Sequence, residues 1–89
     1  MTNNDINIPV RTVNQIGAVS YRLNGKLHRE DGPAYIEHFY RSWYINGKRH
    51  RLDGPAVEFD KLYKQWWIND VEYTKEEFEV IIQCPWMIE

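Results

Sequence analysis

The chain has one cysteine, Cys84, among its 89 residues. That excludes an intrachain disulfide framework and makes a reducing compartment the expected setting. No apolar run approaches the roughly 18 residues a membrane-crossing helix requires. The opening stretch MTNNDINIPV carries neither the basic nor the apolar region of a secretory signal, so a cytoplasmic location and no membrane association are expected. Catalytic signatures are missing as well: there is no Gly-rich phosphate loop, no Cys pair, no His-Glu-x-x-His and no Ser in a nucleophile elbow. His28, His38, His50 and Cys84 match no zinc-site spacing. The sequence therefore assigns no catalytic residue, no metal ligand and no cofactor, and the expectation is a non-enzymatic protein.

What is abundant is aromatic. Phe, Trp and Tyr make up 15% of the residues, with four Trp and six Tyr. Such side chains let a small domain bury much area with few residues. Net charge is −2 but unevenly spread. Residues 20–51 carry Arg22, Lys26, Arg29, Arg41, Lys48, Arg49 and Arg51 against Glu30, Asp31 and Glu37. Residues 69–89 carry Asp70, Glu72, Glu76, Glu77, Glu79 and Glu89 against Lys75 alone. A basic middle and an acidic end follow. The negative total and the acidic end count against a nucleic-acid partner.

The chain also writes one phrase twice. NGKLHREDGPA occupies residues 24–34 and NGKRHRLDGPA residues 46–56. A degenerate third copy, WWINDVEY, covers residues 66–73. Catalytic sites are usually single whereas structural units multiply, so the repetition marks a folding unit. Asn-Gly is the strongest two-residue hairpin signal, because a type I′ turn needs positive φ at both central positions. Asn24-Gly25 and Asn46-Gly47 are therefore hairpin tips, with Asn69-Asp70 a weaker third. Asp31-Gly32-Pro33 and Asp53-Gly54-Pro55 read as a second class of turn, with Gly expected at positive φ. Arg29 and Arg51 are placed to pair with Asp31 and Asp53 across it.

Two-residue turns fix the register: Ile45 pairs with Lys48, Tyr44 with Arg49 and Trp43 with His50. One face then carries Trp43, Ile45 and His50, matched by Tyr21, Leu23 and His28 in the first copy and by Trp66, Ile68, Val71 and Tyr73 in the third. This is the expected core face. His28 and His50 stand where Tyr73 stands, which predicts packed rings with one hydrogen bond each. The opposite face carries Arg22, Tyr44, Arg49, Arg51 and Trp67. After the third copy the period changes. Thr74-x-x-Glu77 is a capping box, Tyr73 and Phe78 fit the hydrophobic staple, and Phe78, Ile81 and Ile82 share one helical face before Pro85. This predicts a helix over about 75–84 that caps the third hairpin. Residues 14–17 suggest another bend before the first copy.

The expectation is a single domain, 1–89, of mainly β class: an antiparallel meander of about three repeated β-hairpins (21–73) with a capping helix and tail (74–89) and a loose start (1–8). NGKLHREDGPA and WYINGKRHRLDGPAVEF resemble a repeat found in small proteins of tailed bacteriophages and giant DNA viruses, similar to variant MORN repeats. The Asp-Gly-Pro-Ala element is not part of the MORN pattern, so lipid binding is not implied. Hairpin repeats of this kind serve as interaction surfaces, and a short phage-type chain resembles accessory proteins that block host defence systems. The resemblance therefore implies a protein-binding module that occupies a host protein. Arg22, Tyr44, Arg49, Arg51 and Trp67 are the candidate contact residues, because Tyr, Trp and Arg dominate interface hot spots. Trp86 and Met87, with Ile88, form an apolar tail that either packs on the sheet or meets a partner. The alternatives are a single-stranded nucleic-acid-binding sheet, where aromatics between arginines stack bases, and a structural repeat protein that forms homo-oligomers.

Overall fold

Residues 7–88 are described in a computed structural model. Most of the start expected to be loose, residues 1–6, lies outside the described residues, as does Glu89 at the end of the tail. The protein is mainly β, built of antiparallel hairpins and closed by one C-terminal helix, as the turn spacing predicts.

Each copy of the repeat contributes one long strand that serves at least two ladders. These are β2 (Val19–Leu23), the run formed by β5 (Tyr40–Ser42) and β6 (Tyr44–Ile45), and β9 (Tyr63–Ile68). The second half of each long strand turns at the two-residue tip and returns as β3 (Lys26–Leu27), β7 (Lys48–Arg49) or β10 (Val71–Tyr73). The predicted register holds: Tyr44 pairs with Arg49, Ile45 with Lys48, Glu72 with Trp67. Asn24, Asn46 and Asn69 have φ of 54°, 51° and 50°, and Gly25, Gly47 and Asp70 follow at 81°, 80° and 67°. All three tips thus adopt the left-handed pair that defines a type I′ turn.

The first half of each long strand lies in a wider sheet with β1 (Val10–Val13), β4 (Tyr35–Glu37) and β8 (Val57–Phe59), in the order β1-β2-β4-β5-β8-β9-β10. Three further hairpins arise this way: β1–β2, whose bend falls at residues 14–17, β4–β5 and β8–β9. The last two have no Asn-Gly; their chain reversals instead place His38 (φ 49°) and Asp60 (φ 58°) in the left-handed region.

The molecule measures 44 × 31 × 16 Å, thin enough that little is fully enclosed. The Ala of each Asp-Gly-Pro-Ala element is completely buried between two long strands. Ala34 donates to the Ser42 carbonyl at 2.9 Å and accepts from Tyr21 at 2.8 Å; Ala56 likewise donates to Gln65 and accepts from Trp43, both at 2.8 Å. A larger side chain would have no room there. The other core lies under α1 (Lys75–Gln83), where Phe78 and Ile81 pack on Ile68, with Trp66, Tyr73 and Ile88 around them. Ile82, expected on that face, is 39% exposed. The capping box is complete: Thr74 Oγ1 accepts the Glu77 N–H at 3.1 Å, and Glu77 Oε1 accepts the Thr74 N–H at 2.9 Å.

Candidate protein-binding surface

The repeated phrase works as a frame. The Arg29 guanidinium lies over the Tyr21 ring, 4.1 Å from its centre, and donates to Asp31 Oδ1 at 2.9 Å and to the Pro33 carbonyl at 3.1 Å. Arg51 repeats the arrangement over Trp43 at 3.9 Å, donating to Asp53 Oδ1 at 2.8 Å and to the Pro55 carbonyl at 3.0 Å. The Arg–Asp pairs expected from the sequence form, and the rings and carbonyls hold each guanidinium on its remaining sides. The hydrogen bond from Arg51 lowers the Asp53 carboxyl below the ordinary carboxylate range. Gly32 and Gly54 correct an expectation. Neither lies at positive φ, the positive-φ glycines among the described residues being Gly17, Gly25 and Gly47. Their small size matters for another reason: a Cβ on Gly32 would stand 2.8 Å from Arg29 Cζ, and one on Gly54 2.9 Å from Arg51 Cζ.

The histidines join one copy to the next. His28 Nδ1 accepts the Asn46 N–H at 3.0 Å, and His50 Nδ1 accepts the Asn69 N–H at 3.1 Å. Two backbone bonds accompany each ring: Gly47 N–H to Leu27 O and Arg29 N–H to Tyr44 O at the first joint, Asp70 N–H to Arg49 O and Arg51 N–H to Trp67 O at the second. Asp70 Oδ1 adds a bond from the Arg49 N–H at 2.8 Å. Each imidazole thus presents an unprotonated Nδ1 to the following turn. Burial lowers the His50 pKa. Tyr73 needs no such acceptor, since the helix follows it in place of a fourth hairpin.

These contacts sort the candidate interface residues. Arg51 lies apart from the others, folded onto Trp43 with its side chain 20% exposed and Glu58 at 3.8 Å. It belongs to the frame, on the face read as core. Arg49 instead stacks over Trp67 at 4.7 Å, with Tyr44 paired beside it, so Tyr44, Arg49 and Trp67 share one surface that spans the second joint. Arg22 is exposed one repeat away. In the tail, a 3₁₀ turn (Pro85–Met87) leaves Trp86 80% exposed and Met87 49% exposed, while Ile88 packs on the core beneath the helix.

The same surface holds aromatics that turn-based reading passes over. Tyr63, Gln65 and Trp67 alternate on one side of β9, and register places Phe59, Tyr40 and Tyr35 on that side of β8, β5 and β4. The rings of Tyr35 and Tyr40 meet edge to face at 6.0 Å, and those of Tyr40 and Phe59 lie 6.4 Å apart. Gln65 bridges the row, donating to the Tyr63 hydroxyl at 2.6 Å and accepting from Trp67 Nε1 at 3.1 Å. Tyr35 donates to Glu37 at 2.6 Å, a bond that raises its pKa. Phe59 and Tyr63 are 54% and 52% exposed. The sequence carries no period-two signal for this row, since Tyr35 and Tyr40 are five residues apart and share a side only through the intervening reversal.

Among the described residues, no three His, Cys, Asp or Glu side chains are grouped as a metal site would require, and no helix is long and apolar enough to cross a membrane. No family model, curated protein or solved structure matches this chain.

Proposed function

We propose that this protein is a non-enzymatic binding module that occupies a partner protein through the surface bearing Tyr44, Arg49 and Trp67. The observation that carries the reading is the alignment of Tyr35, Tyr40, Phe59 and Tyr63 with those residues on one side of a thin sheet. Helix α1 packs on Ile68, Trp66 and Tyr73, which alternate with Trp67 and Glu72 and so lie on the other side. Aromatics and an arginine held on short strands offer large contact area at small entropic cost, the composition of interface hot spots. Arg22 extends this surface, and Trp86 with Met87 forms a separate apolar arm; Arg51 acts by holding the frame. The phage-type resemblance of the repeat favours a host protein as the partner, such as a component of a defence system, met in the host cytoplasm.

The test is capture from a nuclease-treated bacterial lysate by the wild-type protein and by a Tyr44→Ala, Trp67→Ala variant whose circular dichroism is unchanged. A discrete protein retained by the wild type and lost by the variant supports the reading. Retention of nucleic acid alone from an untreated lysate would instead assign the aromatic row to base stacking.

A further inference from the structure

We propose that copies of this chain associate end to end, the third hairpin of one copy receiving the first hairpin of the next and so continuing the repeat between molecules. The inference is independent of the host-protein reading and rests on the two joints already described.

Within the chain, each trailing strand offers its outward backbone to the following two-residue turn: Leu27 to Gly47, and Arg49 to Asp70. The third hairpin has the same edge. Ladder alternation points the N–H and C=O of Glu72, the counterpart of Leu27 and Arg49, away from β9. Neither group has a partner among the described residues, and β10 ends the strand order. At the other end of the molecule, β1 reaches only to Val10, opposite Arg22, and leaves Leu23, Asn24 and Gly25 beyond it. The N–H groups of Asn24 and Gly25, the counterparts of the donors that close both internal joints, have no partner among the described residues. A Cβ on Gly25 would meet nothing within 4 Å, whereas one on Gly47 would touch Lys26.

Charge selects a second copy as the occupant. Residues 10–28 contain Arg11, Arg22 and Lys26 and no carboxylate, whereas residues 70–79 contain Asp70, Glu72, Glu76, Glu77 and Glu79 with Lys75 the sole cation. The internal joint also specifies which side chains would meet. Arg49 of the second hairpin stacks on Trp67 of the third. Advancing one repeat replaces Arg49 by Glu72 and Trp67 by Arg22, so the stacked pair becomes an ion pair between copies. The joint would be smaller than the internal ones. The Thr74 N–H is already taken by Glu77, Tyr73 stands in place of histidine, and Arg22 is paired with β1. Association should therefore be concentration-dependent, and weakened by salt because exposed charges align it. A head-to-tail contact of this kind continues from copy to copy unless the rotation between copies closes a ring.

The experiment is sedimentation velocity on the full chain at low and high ionic strength, with Arg22→Glu and Glu72→Lys variants. Wild-type protein should show a mass that rises with concentration, and added salt should lower it. Each variant alone should need at least tenfold more protein to associate. An equimolar mixture of the two should recover wild-type association as an alternating series, because Lys at 72 in one variant meets Glu at 22 in the other and the remaining ends, Glu72 and Arg22, form the original pair. Lys26→Glu replaces Arg22→Glu if that variant loses its circular dichroism. A wild-type monomer at all concentrations, an oligomer indifferent to both reversals, or a mixture that does not recombine would each overturn the proposal.

Discussion

Arg29 and Arg51 look in sequence like half of an exposed ion pair, worth about 0–1 kcal/mol. The structure gives each a ring beneath it, a carbonyl at one side and a glycine where any Cβ would collide. Gly54→Ala should therefore destabilise the protein by about 1–3 kcal/mol through overpacking at an ordinary φ, read from the urea midpoint. An unchanged midpoint would mean that the guanidinium moves aside freely. The histidine position was half legible. That Tyr73 occupies the same place suggested a flat ring with a polar tip, but the donor it serves comes from the next copy, 18 or 19 residues further on. His28→Leu should cost about 1–3 kcal/mol by leaving the Asn46 N–H without its acceptor, measured by thermal melting. For the same reason His50→Tyr, harmless if only shape mattered, should loosen the second joint. The pH dependence has a definite sign. Burial lowers the His50 pKa in the folded state, so the unfolded chain takes up the proton more readily. The stability from a neutral His50 is complete above the ordinary imidazole range near 6.5 and declines as pH falls below it. Asp53, also lowered, adds a second loss at more acidic pH, as its bond to Arg51 is protonated away. The urea midpoint should fall between pH 8 and pH 5, and less so in a His50→Gln variant. A midpoint independent of pH over that interval would contradict the neutral joint.

At the scale of elements, Asn-Gly at two tips, Asn-Asp at the third and the Thr74-x-x-Glu77 box carried almost all the legible signal, because each is a local rule requiring no knowledge of distant neighbours. Thr74→Ala should cost about 0.5–2 kcal/mol, as an N-cap is lost and a helix that buries Phe78 and Ile81 frays; a thermal melt unchanged by it would separate the helix start from overall stability. Gly47→Val should cost about 1–3 kcal/mol, because a β-branched residue at φ of 80° is strained whatever the space around it. The hairpins β4–β5 and β8–β9 were not legible by the same route. Their reversals use His38 and Asp60 at positive φ, which the sequence does not advertise as Asn-Gly does. They are held instead by pairing with long strands on both sides and by the Asp60 N–H reaching the Phe39 carbonyl at 2.7 Å.

The whole molecule is thin, and which face meets solvent was the least legible property. Period-two alternation correctly separated Trp66 and Ile68 from Trp67, but it could not show that Arg51 folds back over Trp43 while Arg49 crosses to the next hairpin. That difference depends on contacts between copies of the repeat. Nor could reading centred on the turns gather Tyr35, Tyr40, Phe59 and Tyr63 onto the side of Trp67, because their alignment requires the register of strands outside the repeated phrase. We propose that this aromatic side engages a partner protein. The most direct measurement is quantitative capture from nuclease-treated lysate by three folded proteins: wild type, Tyr44→Ala with Trp67→Ala, and Arg51→Lys. A discrete protein partner should be held by the wild type, lost by the double variant because hot-spot truncations each cost about 2 kcal/mol or more, and retained by Arg51→Lys, whose lesion lies in the frame. A partner held equally by the double variant and the wild type would contradict this proposal.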